Sequence, residues 1–135
     1  MESKKIIIDT SVWIAMLIKS DSNHAKSLKY KSLIMLEQIM PDLIFYETLT
    51  VLRNKSKDNN MLNLFIGFTN ENTDMTIRLF YENNIDVLKL FVKEHKDDLS
   101  YIDTLLLFLS GEYHILTFDE KLKKRIKESG GKLAD

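Results

Sequence analysis

Ile6-Ile7-Ile8-Asp9-Thr10-Ser11-Val12-Trp13-Ile14-Ala15 is the stretch on which the reading of this chain turns. A short run of β-branched residues predicts a buried strand over 4–9. Thr10 and Ser11 then offer hydroxyl caps to a helix reaching about residue 19. Between strand and helix stands Asp9. A carboxylate at the edge of a core costs several kcal/mol unless something pairs with it.

The same misfit recurs further on. Glu47 interrupts Leu43-Ile44-Phe45-Tyr46 before Leu49, Val51 and Leu52; Asp103 precedes Leu105-Leu106-Leu107-Phe108-Leu109; Asp119 closes Ile115-Leu116-Thr117-Phe118. No Lys or Arg lies within three residues of Glu47 or Asp103. Four acids placed this way suggest a shared positive partner, and a divalent metal ion is the simplest.

Outward from the opening strand, Asp21-Ser22-Asn23 mark a turn. Imperfect apolar spacing at Ala25, Leu28, Leu33, Met35, Leu36 and Ile39 predicts a helix over 24–38. A short strand at 39–40 follows, then a helix over 41–56 opened by Pro41-Asp42. Asp21 and Asp42 read as helix caps. The Asn-rich part of the chain suggests a helix over 59–69 and a strand over 76–81. A helix over 86–95 precedes the most apolar one, over 99–111, which should be buried. A second buried strand covers 114–118. An amphipathic helix over 120–129 is stopped by Gly130-Gly131, and 132–134 offers a last short strand. Strands alternating with helices imply an α/β fold with a parallel sheet covered on both faces. Ligands of such sheets bind beyond the carboxyl ends of the strands. Asp9 and Asp119 end strands, and Glu47 and Asp103 sit in the first two turns of helices, so all four are expected on one edge.

The 135 residues fit one domain over 1–135. An apolar share of 44% suits a globular core and excludes a disordered chain. No apolar run approaches the ~20 residues that span a bilayer, and the opening lacks a signal-peptide core. With no Cys there is neither a disulfide framework nor a thiolate metal site. The default location is the cytoplasm.

A net charge of −1, from 19 basic and 20 acidic residues, argues against a nucleic-acid binder. Setting aside the four acids leaves 16 against 19, a remainder of +3. Basic residues also cluster, at Lys121, Lys123, Lys124, Arg125, Lys127 and Lys132, and at Arg53, Lys55 and Lys57. Of these, Arg53, Lys55, Lys121 and Lys124 are the candidate RNA contacts. A solvated helix face explains either cluster equally well.

Carboxylate oxygens suit Mg²⁺ or Mn²⁺, and several of them close together ionise only with a cation between them. The chemistry that fits is phosphodiester hydrolysis, in which a metal lowers the pKa of water and steadies charge on phosphate. Thr10, Ser11, Ser100 and Thr117 flank the acids and are candidates to orient them. Each acid also has a structural reading: Asp9 and Asp119 as N-caps, Glu47 and Asp103 as partners of helix dipoles. Capping leaves unexplained why two acids stand in apolar helix faces. His24, His95 and His114 are isolated, which disfavours a His-based zinc site. Nucleotide-binding loops of the Gly-rich kinds are absent from the sequence. Trp13, Tyr46 and Tyr101 read as core or interface aromatics, with base stacking as the other use.

Four motifs in order carry a family resemblance. Residues 7–15, Ile-Ile-Asp-Thr-Ser-Val-Trp-Ile-Ala, resemble the first motif of PIN-domain nucleases. Pro41-Asp42-Leu43-Ile44-Phe45-Tyr46-Glu47 is similar to the second, with a proline six positions before the acid. Leu99-Ser100-Tyr101-Ile102-Asp103-Thr104-Leu105 resembles the third, although Thr104 stands where a smaller residue is common. Ile115-Leu116-Thr117-Phe118-Asp119 resembles the fourth. The segment 54–84 aligns with no motif. The resemblance implies a PIN-like three-layer α/β sandwich and a Mg²⁺- or Mn²⁺-dependent ribonuclease site. In it Asp9, Glu47, Asp103 and Asp119 would bind metal, with Thr117 supporting them.

Chains this short look most like VapC-type toxins of toxin–antitoxin pairs, which dimerise and are inhibited by a small antitoxin protein. The expectation is a toxin that cuts a structured RNA. The alternatives are a PIN nuclease of RNA maturation or decay, a non-catalytic RNA- or protein-binding PIN-like module, and a metal phosphatase. The last lacks the D-x-D-x-[TV] pattern expected after the first strand.

Overall fold

Four short strands form one parallel sheet in a computed structural model that describes residues 5–56, 59–72, 75–78, 84–93 and 98–135. The strands are β1 (Ile6–Ile8), β2 (Gln38–Pro41), β3 (Met75–Arg78) and β4 (His114–Leu116), in the order β3-β2-β1-β4. Along β1, Ile6, Ile7 and Ile8 pair with His114, Ile115 and Leu116 of β4. Ile6 also faces Gln38 of β2, which pairs with Met75 of β3. Every residue of β1 and β2 is buried, so both faces of the sheet are covered. Pro41, which has no N–H for a ladder, ends β2, where the chain leaves the sheet for a helix.

The helices are α1 (Thr10–Leu17), α2 (His24–Ser27), α3 (Asp42–Lys55), α4 (Asn60–Glu71), α5 (Asn84–Lys93), α6 (Tyr101–Leu109) and α7 (Glu120–Glu128). They pack in two sets. In one, α1 lies against α2 and α3, and α3 against α4; in the other, α6 lies against α5 and α7. The layered α/β architecture read from the sequence is the one observed. Within the first set Trp13 meets Phe65 edge-on at 5.3 Å, and Phe45 stacks on Phe65 at 5.8 Å. In α3, Ile44, Thr48 and Leu52 are buried at a spacing of four, one line along the helix. In α6, Leu105, Leu106, Leu107 and Leu109 are all buried, as its composition requires.

Several local expectations change. The helix over 24–38 is α-helical only to Ser27 and continues as a 3-10 helix, Leu28–Met35. Its apolar positions keep no 3.6-residue repeat, so no single face can bury them; Leu28 and Leu36 remain exposed. Thr10 and Ser11 do not cap α1. Asp9 occupies the N-cap position, and its side chain makes no cap bond. Asp42 is the first residue of α3 rather than its cap, which is Pro41. Asp21 accepts from the Asn23 amide at 2.8 Å, closing a turn before α2 without capping it. The final strand reduces to a single parallel bridge between Ile115 and Leu133. Residues 79–81 of the third expected strand, 94–95 of the helix before α6, and Lys57 lie outside the described residues.

Helix α7 stops as its glycines predict. Gly130 has φ +76°, and the Gly130 and Gly131 amides donate to Lys127 O and Ile126 O at 3.1 and 2.9 Å. Among the described residues no helix is long and apolar enough to cross a membrane.

Candidate active site

The sheet order determines where the acids meet. From β1 the chain moves to β2 and then β3 on one side, while β4 joins β1 on the other. The crevice between β1 and β4 is thus a topological switch point, where open α/β sheets bind ligands. Asp9 leaves β1 at that point, and Asp119 follows β4 by three residues. The Asp9 amide extends the ladder by donating to Leu116 O at 2.9 Å.

Asp9 is only 5% exposed. Its Oδ2 accepts from Thr117 Oγ1 at 2.8 Å and from Ser11 Oγ at 3.0 Å. Thr117 Oγ1 in turn accepts from the Asp119 amide at 3.0 Å, and Ser11 Oγ from the Phe118 amide at 3.1 Å. Two hydroxyls therefore stitch the first turn of α1 to the loop after β4. Burial pushes the Asp9 carboxyl up to about 6; the Thr117 and Ser11 hydroxyls pull it down, and the charges of Asp103 and Glu47 add to the rise.

Asp103 lies in the first turn of α6, where a Ser100 capping box holds it. Its amide donates to Ser100 Oγ at 3.1 Å, and its Oδ2 accepts from the Ser100 amide at 3.3 Å. Burial and the charge of Asp119 push its carboxyl above the usual range, against the pull of those Ser100 bonds. Asp119 caps α7, its Oδ1 accepting from the Lys121 and Leu122 amides at 3.0 and 3.2 Å. Glu47 is half-buried in the second turn of α3. The electrostatic influences run from Glu47 and Asp103 to Asp9 and from Asp119 to Asp103, so the four acids share one neighbourhood.

The supporting hydroxyls divide. Ser11 and Thr117 hold Asp9, whereas Thr10 Oγ1 pairs with Thr48 Oγ1 at 2.9 Å and fastens α1 to α3 beside Glu47. Thr48, fully buried, was not singled out from the sequence. Its signal was a hydroxyl on the apolar line of Ile44 and Leu52. Among the candidate RNA contacts, Lys121 pairs with Asp98 at 3.8 Å and Lys124 is exposed on α7. Arg53 and Lys55 are exposed at the far end of α3, roughly 9 and 12 Å further along its axis than Glu47 at ~1.5 Å per residue.

A divalent cation suits this donor set in kind: hard oxygens, one of them on a buried carboxylate with no counter-charge among the described residues. Among the described residues no three His, Cys, Asp or Glu side chains are grouped closely enough to hold one ion together. That spacing fits an ion held by one or two carboxylates while keeping most of its water, as Mg²⁺ does.

An open α/β sheet with carboxylates gathered at its switch point defines the class of protein. A family model for the PIN domain matches residues 6–128, and the chain belongs to that family. PIN domains are generally nucleases. No curated protein matches the chain. Among solved structures it is similar to VapC20 of Mycobacterium tuberculosis, a sarcin-ricin-loop-cleaving toxin, with a TM-score of 0.74 and 15% identity over 88% of this chain and 93% of that one. It is also similar to PAE2754 from Pyrobaculum aerophilum, with a TM-score of 0.58 and 13% identity over 90% of this chain and 84% of that one. At such identities the likeness is one of fold.

Proposed function

We propose that residues 1–135 form a single Mg²⁺- or Mn²⁺-dependent endoribonuclease domain, the toxin of a toxin–antitoxin pair, acting on a structured RNA in the cytoplasm. The observation that carries this reading is Asp9: buried at the switch point, held by Thr117 and Ser11, and raised in pKa with two more carboxylates acting on it. Such a site suits a divalent cation and the phosphate it brings. Family membership supports hydrolysis of nucleic acid, and the likeness to VapC20 supports the toxin reading and RNA as substrate. A homodimer and a small inhibitory antitoxin belong to the same proposal.

In this reading Asp9, Glu47, Asp103 and Asp119 form the metal site, one or two of them binding the ion directly and the others through its water ligands. A bound Mg²⁺ would acidify the attacking water and offset charge on the phosphate oxygens. Ser11 and Thr117 fix the Asp9 carboxylate so that it need not reorganise when substrate arrives. The helix-capping bonds of Asp119 and Asp103 hold those acids at the loop ends.

The test is expression of the parent and Asp103→Asn chains in a bacterial host, with total RNA profiled for new ends and cleavage repeated with purified protein. The parent should arrest growth and cut RNA only with Mg²⁺ or Mn²⁺, and the variant should do neither. A harmless parent without metal-dependent cleavage, or an equally toxic variant, would overturn the reading.

A further inference from the structure

A site with four acids repels the polyanion it is meant to cut, so cations must receive the rest of the strand. Three of the six basic groups following β4 have a carboxylate of their own. Lys121 pairs with Asp98 at 3.8 Å, Lys123 with Asp135 at 2.7 Å and Arg125 with Glu128 at 3.9 Å. Lys26 of α2 is set apart by an aromatic partner. It makes no ion pair among the described residues. It is half-buried, and its ammonium lies over the Phe118 ring, 4.8 Å from the centroid.

Phe118 is the residue between Thr117 and Asp119. Its amide is the donor to Ser11 Oγ, the hydroxyl that also binds Asp9. Its ring is 8% exposed, with Tyr30 against it at 5.9 Å. The ring cannot stack on a base, but it can hold a cation at a set place. One peptide, about 3.8 Å between Cα atoms, separates Phe118 from Asp119. Lys26 is not among the charges acting on Asp9 or Asp103. Its charge is therefore not spent on neutralising either acid, and its link to the site runs through Phe118.

We infer that Lys26 binds a phosphate of the RNA backbone flanking the one that is cut, and that Phe118 positions its ammonium for that contact. This rests on the nuclease reading above. It separates Lys26 from the helical surface lysines: its place is set by the same loop that sets Asp119. A contact to phosphate carries no sequence information, so Lys26 governs register and affinity rather than the choice of base.

Two measurements test it. The first is fluorescence anisotropy of a labelled, unstructured oligoribonucleotide in Mg²⁺ across a KCl series, in an Asp103→Asn background that does not cut. Lys26→Met keeps the apolar stem on Phe118 and loses the charge. It should weaken binding several-fold and lower the slope of log K against log salt by about 0.7, the loss of one single-strand phosphate contact. Lys26→Arg should keep the slope. The second is cleavage of total RNA with Asp103 intact, where Lys26→Met should raise KM and leave kcat near that of the parent. An unchanged salt slope in Lys26→Met, with cleavage by the parent intact, overturns this inference alone. A parent that neither cuts nor binds RNA overturns it together with the nuclease reading.

Discussion

Replacing Asp9 with Asn should stabilise the metal-free protein at neutral pH while abolishing its chemistry. The expected size follows from burial. Folding moves the Asp9 carboxyl from 3.8 to about 6. At ~1.36 kcal/mol for each tenfold change in acidity, this amounts to about 3 kcal/mol. The folded state holds the proton more tightly than the unfolded chain does. The stability that the proton confers is fully present below 3.8 and is lost as pH rises through about 6. Above that, the ionised Asp9 weighs on the fold by a constant amount.

Asn with its carbonyl oxygen at the Oδ2 position keeps the bonds from Thr117 and Ser11 and carries no charge. Allowing for imperfect placement of its amide, the gain should be about 1–3 kcal/mol, or roughly 3–10 °C in Tm for a chain of this size. The assay is calorimetric melting of parent and Asp9→Asn in EDTA across a pH series. The gap should open between 3.8 and about 6 and close in acid. A variant that melts at or below the parent near neutrality, or a gap independent of pH, would refute the claim that Asp9 is an uncompensated buried charge.

Thr117→Val removes the donor to Asp9 and the acceptor for the Asp119 amide; it should cost about 1.5–3 kcal/mol, read as a lower urea midpoint at unchanged slope. Gly131→Ala drives a methyl into Ser110 Oγ and close to Ile126, so a loss of about 1–3 kcal/mol is expected by the same titration. Adding Ser110→Ala should recover part of it. Mg²⁺ at a hundredfold excess over its Kd should stabilise the parent by about 2.7 kcal/mol and Asp103→Asn much less; equal shifts in the two melts would place the ion elsewhere.

What the sequence disclosed about the fold was what apolar runs disclose. Ile6–Ile8 and His114–Leu116 are short apolar runs rich in β-branched residues and bounded by polar ones, which suits buried strands, and Asp9 and Asp119 follow their carboxyl ends. The buried α6 was legible for the same reason. Where the pattern was weak the reading slipped: over 24–38 no face was continuous, and the backbone tightened into a 3-10 helix.

Within the site, residue types suggested hydroxyls near acids but not which hydroxyl served which acid. Thr10 turned to Thr48 because α1 packs on α3, a tertiary fact with no trace in local spacing. Asp9 and Asp119 had the same possible role as caps. Only the structure shows that Asp119 caps α7 with its side chain, while Asp9 is drawn away from its helix by Thr117.

The hydrogen bond between Thr117 and Asp9 spans 108 positions of sequence, and this has a consequence for synthesis. A ribosome releases β1 and its aspartate early, yet β1 gains its β4 neighbour only after nearly all the intervening chain has emerged. Until then the switch point does not exist, and Asp9 stands at an open sheet edge without the hydroxyl that orients it. A nascent or prematurely terminated chain that stops short of Thr117 therefore lacks the crevice and the bond that orients Asp9, however well α1 to α6 have folded.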